Sequence, residues 1–172
     1  MYAATPRPDF LGRGWIIMAE LRITVVEKAT QDDRYNWWSA RMRSGESKAE
    51  SVKDMVDKVL ARLGEDDSIL RLTLIGHGSP GNLSMGDGKS REVGKHIGID
   101  NPDEWVDELE RLRDRFSSDA LLTLRGCKAG EGSRGRRLVD LLHAKLGVKV
   151  RAPTGTTTPL WIRGHWTRAP ED

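Results

Sequence analysis

His77 and Cys127 are the two residues of this chain whose types suit nucleophilic catalysis, and each follows an apolar run that ends in glycine. Ile69 to Ile75 leads into Gly76-His77-Gly78, and Ala120 to Leu124 leads into Arg125-Gly126-Cys127. A thiol attacks as thiolate, and a neighbouring imidazole lowers its pKa from about 8.5 to between roughly 3.5 and 7.5. Ligands of open parallel sheets bind at the carboxyl ends of the strands. Adjacent strands ending in His-Gly and Gly-Cys would therefore bring base and nucleophile to one rim. Gly78 lets a backbone N–H approach a substrate carbonyl, and Gly126 permits the sharp exit that exposes the sulfur. The N–H groups of Gly78 and Cys127 would then form an oxyanion hole. A lone Cys is usually a small buried hydrophobe, and a lone His a satisfied loop residue. Their joint placement, 127 − 77 = 50 residues apart, carries the reading.

The other histidines fit blander roles. His143 lies beside the apolar stripe of a helix, His96 reads as a surface loop residue, and His165 as a surface residue of a closing hairpin. Asp87-Gly88 is turn chemistry. The sequence has no H-E-x-x-H pattern and no Gly-Lys-Ser/Thr opening a helix, so neither a metal nor another cofactor is expected.

These residues need a scaffold. Residues 1–17, with Pro6, Pro8, Gly12 and Gly14, read as a loosely ordered arm, and residues 18–172 as a single domain. Leu21 to Val26 alternates and is β-branched, which predicts a first strand. Tyr35, Trp37 and Trp38 form an aromatic island expected to plug onto the core. Val52, Met55, Val56, Val59, Leu60 and Leu63 fall at helical spacing before Gly64. Ile69 to Ile75 is apolar enough to predict a second strand buried on both faces. The turn formers of 79–88 predict a small hairpin. Asn101-Pro102-Asp103-Glu104 opens a second helix that carries Trp105, Leu109, Leu112 and Phe116 on one face. A third strand at 120–124, a third helix through Leu138, Leu141, Leu142 and Leu146, a strand at 148–150 and a closing hairpin from Thr154 complete the chain. Strand–helix alternation predicts an α/β three-layer sandwich with a mostly parallel central sheet.

Composition narrows the classes. At 172 residues the chain can bury roughly 70% of its unfolded surface without a staple. One cysteine excludes an internal disulfide framework, and no apolar run approaches the ~20 residues of a membrane helix. The net charge of +2 is too small to argue for nucleic acid. The basic clusters at Arg134-Gly135-Arg136-Arg137 and around Arg163, His165 and Arg168 read as a solvated helix face and an edge strand. With no secretory-signal pattern and one free thiol, the expected compartment is the cytoplasm.

Leu72-Thr73-Leu74-Ile75-Gly76-His77-Gly78 and Leu121-Leu122-Thr123-Leu124-Arg125-Gly126-Cys127 resemble the two blocks of the caspase-like, clan CD cysteine peptidases. His77 to Gly81 and Gly147 to Gly155 are similar to segments of small bacterial caspase-like and CHAT-like domains. The resemblance covers roughly residues 21–168. It implies a caspase-like fold, a protein or peptide substrate, His77 as base and Cys127 as nucleophile. Caspases carry Gln-Ala-Cys and metacaspases an acidic residue two positions before Cys, where it faces the S1 pocket and selects Arg or Lys. Arg125 occupies that position here: the resemblance implies a substrate-binding cation with an inverted preference, and the alternative is a side chain that points to solvent or pairs with a surface carboxylate. The competing expectation is a catalytically silent caspase-like module that binds or regulates; the oligomeric state is left open.

Overall fold

The computed structural model describes residues 19–28, 47–86, 93–156 and 165–170. In chain order the elements are β1 (Glu20–Glu27), β2 (Ser47–Ala49), α1 (Val52–Leu60), β3 (Ser68–Ile75), β4 (Gly78–Ser79), β5 (Asn82–Ser84) and β6 (His96–Gly98). They continue with α2 (Val106–Glu110), β7 (Phe116–Arg125), α3 (Gly132–Leu146), β8 (Lys149–Pro153) and β9 (Trp166–Ala169). The aromatic island, Asp87-Gly88 and Arg163 lie outside the described residues.

The central sheet has the order β2-β1-β3-β7-β8-β9. Every pairing is parallel except β8 with β9. This is an α/β fold with a mostly parallel sheet flanked by helices. A second, antiparallel sheet of β4, β5 and β6 follows directly on β3. Its first turn is set by sequence: Pro80-Gly81 joins the Ser79–Asn82 pair, with Gly81 at φ 74°.

Register places the core. Ile23 pairs with Leu72 and Leu72 with Leu122; Val25 pairs with Leu74 and Leu74 with Leu124. All six are buried on one side of the sheet, joined there by Val150 and Ala152 of β8. The helices cover this side. α1 presents Val52, Met55, Val56 and Val59, and α3 presents Leu138, Val139, Leu142 and Leu146, both at helical spacing. Truncating a side chain at the centre of this layer, such as Leu74→Ala, should cost about 2–5 kcal/mol.

α1 starts where Ser51 accepts a hydrogen bond from Asp54 N at 3.1 Å, and α3 stops at Gly147 in the left-handed conformation, φ 70°. The second helix is shorter than its apolar spacing predicts. α2 spans five residues between 3₁₀ turns at Pro102–Glu104 and Arg113–Arg115. Trp105 is held out of helical geometry at φ −140° while its indole N–H donates to Gly98 O at 2.8 Å. Phe116 pairs with Ile69 and so begins β7 rather than ending a helix.

His96 lies in β6, paired with Ser84 and half-buried, not in a surface loop, because the β5–β6 ladder takes it up. The strand predicted at 148–150 extends to Pro153, since its last residues gain antiparallel partners in β9. β3 is buried on one side only. An extra residue in β3 between Ile69 and Arg71 shifts its register against β1, so that Ile69 and Leu72 both enter the core while Arg71 is exposed.

Candidate active site

The carboxyl edge of the sheet is where β3 and β7 end side by side, with Ile75 paired to Arg125. Each strand runs into a glycine that the local space requires. Gly76 is buried, and its N–H reaches Arg125 O at 3.4 Å. A Cβ on Gly78 would stand 2.5 Å from Gly126 C, 2.6 Å from Gly126 Cα and 2.7 Å from Cys127 N. A Cβ on Gly126 would stand 2.9 Å from Gly78 Cα and 2.6 Å from a methyl of Leu83. The two loops therefore meet backbone to backbone, in contact that only glycine allows.

His77 is exposed and Cys127 half-buried. The His77 main chain is fixed on both sides: its N–H donates to Glu27 Oε2 at 2.7 Å, and its carbonyl accepts from Ser84 N at 2.7 Å. Gly78 faces Leu83 between hydrogen-bonded positions of the β4–β5 ladder, so its own N–H points out of that hairpin. Cys127 sits in a tight turn closed by Ala129 N to Gly126 O, 3.2 Å. The turn sets Lys128 at φ 58°, a left-handed conformation that costs a residue with a side chain about 1 kcal/mol. Lys128 N donates to Gly155 O and Gly130 N to Pro153 O, both at 2.9 Å. The end of β8 thus buttresses the cysteine loop.

Glu27 is a participant the sequence reading missed. Its carboxylate is fully buried at the end of β1, accepting from His77 N and from the Ser84 hydroxyl. The signal was present: Ile23, Val25 and Glu27 share one face of β1, so the alternation puts a carboxylate in line with the core.

Arg125 occupies the sheet face opposite the core, and burial pulls its guanidinium below the ordinary range. Arg151 of β8 lies close enough that the Arg125 charge, after its own burial, lowers Arg151 as well. The Arg151 Nε–H donates to Thr123 Oγ1 at 3.1 Å, and its guanidinium stacks 4.9 Å from the Trp166 ring centroid. Thr154 N and Oγ1 both donate to His165 O, at 2.9 and 2.8 Å.

His143 is half-buried, with Nδ1 2.8 Å from Val148 O, away from the edge. Arg134 pairs with Asp100, and Arg136 donates to Arg168 O, which ties the basic helix face to the β9 edge. Among the described residues no three His, Cys, Asp or Glu side chains gather as metal ligands. None of the described helices is long and apolar enough to cross a membrane.

A mostly parallel α/β sheet with a histidine loop packed on a cysteine loop at its carboxyl edge defines the class of this molecule. The chain belongs to the family described as domain of unknown function DUF4347, whose model matches residues 42–168. No curated protein and no solved structure matches it.

Proposed function

We propose that this protein is a caspase-like cysteine endopeptidase acting through His77 and Cys127. The observation that supports the reading is the contact of Gly78 with Gly126 and Cys127, which joins the two loops where a parallel sheet presents its ligands. His77 takes the thiol proton, and the thiolate adds to the scissile carbonyl. The N–H groups of Gly78 and Cys127 donate to the oxyanion of the tetrahedral intermediate. Collapse expels the amine, which takes its proton from His77, and water then hydrolyses the thioester with His77 again as base. The fold reads as caspase-like on this basis, and a working thiol suits the reducing cytoplasm. The chemistry needs no metal, because the attacking atom is the cysteine sulfur.

The test is a peptide-library cleavage profile of the purified protein beside Cys127→Ala and His77→Ala. Hydrolysis should vanish in the first variant and fall by ~10²-fold or more in the second. Wild-type turnover in either folded variant would overturn the assignment. Absence of hydrolysis together with an unreactive Cys127 would leave the fold as a binding module.

A further inference from the structure

The face of the sheet opposite the core is basic. Register places Arg22 beside Arg71, then Leu121 and Lys149 in line with them; one step along, Arg151 pairs with both Thr123 and Arg168. Arg71, Lys149 and Arg168 are exposed and Arg151 is half-buried. Thr24, Thr73 and Thr123 form a hydroxyl row across the same face, each paired with the next. After burial, Arg125, Arg71 and Arg168 all contribute to lowering the Arg151 pKa, so these cations feel one another across the strands. Among the described residues no carboxylate pairs with Arg71, Arg151 or Arg168. Arg71, Arg151 and Arg168 repel one another and gain from an anion that relieves them.

We propose that this face docks an acidic polypeptide segment in extended conformation. Guanidinium forks match carboxylates with two parallel hydrogen bonds. Arg71 and Arg168 stand three strands apart, about 15 Å at sheet spacing. An extended chain presents alternate side chains about 7 Å apart on one side, so Asp or Glu at positions i, i+2 and i+4 spans that distance. A nucleic-acid strand fits less well. Single strands bind by stacking bases on open aromatic faces, and the ring of Trp166 already carries the Arg151 guanidinium. The docking does not depend on the peptidase reading, because it uses neither His77 nor Cys127.

The test uses the full chain with Cys127→Ala, so that binding is read without chemistry. A fluorescein-labelled decaglutamate is titrated at low salt and followed by anisotropy, beside a single-stranded oligonucleotide of equal charge. Saturable binding that weakens about five- to tenfold in Arg71→Ser/Arg168→Ser and falls with salt supports the proposal. Arg137→Ser, on the exposed face of α3, should leave it unchanged. The proposal is overturned by no saturable binding of the peptide, or by an equal loss in Arg137→Ser. Tighter binding of the oligonucleotide, weakened by the same face variants, overturns it in favour of nucleic acid. Circular dichroism of each variant confirms that the lost affinity is not lost fold.

Discussion

Glu27 holds His77 by its backbone: the buried carboxylate at the end of β1 accepts the His77 N–H at 2.7 Å across a sequence separation of 50 residues. The same group accepts the Ser84 hydroxyl, so one side chain ties β1, the histidine loop and β5 together. A buried donor left without its acceptor costs about 1–3 kcal/mol. Glu27→Ala should therefore lower stability by about that amount or more, read as a shift of the urea midpoint. Glu27→Gln keeps an acceptor oxygen and should lose less. Equal midpoints for wild type and Glu27→Ala would show that the carboxylate does not support the loop.

The contact between Gly78 and Gly126 makes a sharper demand. An added methyl at Gly78 meets main-chain atoms at 2.5 to 2.7 Å, and backbone yields only by moving a whole loop. Gly78→Ala should cost about 1–3 kcal/mol and displace the Cys127 turn, with peptide hydrolysis falling further than stability. Gly98→Ala is the control, since its methyl finds only an ordinary contact with Asn82 at 3.4 Å. Thermal unfolding and turnover of the two variants, measured side by side, decide the matter.

Much of this edge was legible in the sequence, because each strand announces its own end. Apolar runs stopping at Gly76-His77-Gly78 and Gly126-Cys127 are local signals, as are Ser51 at the start of α1 and Gly147 at the end of α3. What escaped was set by pairing between distant segments. Phe116 has helical spacing with Leu112 and Leu109, yet its partner Ile69, 47 positions earlier, makes it a strand residue. The exposure of Arg71 depends on a register shift between β1 and β3 that no window of β3 alone contains. Glu27 could have been found from its parity with Ile23 and Val25, but its partners could not.

Cys127 is half-buried in a turn packed against the His77 loop, so its reactivity tests the proposed dyad directly. An imidazole-assisted thiol should react with iodoacetamide well below pH 8. His77→Ala should slow that alkylation at neutral pH. Equal rates in wild type and His77→Ala would mean an unassisted cysteine. Mass spectrometry of the single alkylated thiol follows the rate without any substrate.

Asp57 links the two helices that flank the first half of the sheet. Its carboxylate takes Lys53 Nζ at 2.6 Å within α1 and Arg111 Nη2 at 2.8 Å from the end of α2. The hydrogen bond from Lys53, then that from Arg111, holds its pKa below the usual 3.8. A folded-state pKa that is depressed stabilises the fold above the unfolded value, and that contribution is lost as pH falls through the folded one. The loss should thus appear below pH 3.8. An NMR titration of Asp57 should give a midpoint under that value, and Arg111→Ala should raise it. An unmoved midpoint would show that the interhelical pair does not form in solution.

Arg125 carries the prediction about specificity. It ends β7 two residues before Cys127, on the face opposite the core, with its guanidinium partly withdrawn from water and Arg151 close by. Cations in a partly desolvated site gain most from a carboxylate and repel Lys or Arg. Peptides with Asp or Glu at P1 should therefore be cleaved in preference to those with Lys or Arg, by about 1–3 kcal/mol in transition-state binding. The readout is the ratio of kcat/KM for matched P1-Asp and P1-Arg peptides in wild type and in Arg125→Ala. Removing the guanidinium should collapse the ratio toward unity, chiefly through a slower P1-Asp peptide. Arg125→Glu should go further and admit P1-Arg, although the thiolate will also feel the added negative charge and slow with every substrate. Comparing ratios within each variant cancels that common loss. An unchanged ratio in Arg125→Ala, or a wild type that already favours P1-Arg, would mean that S1 is set elsewhere along the edge.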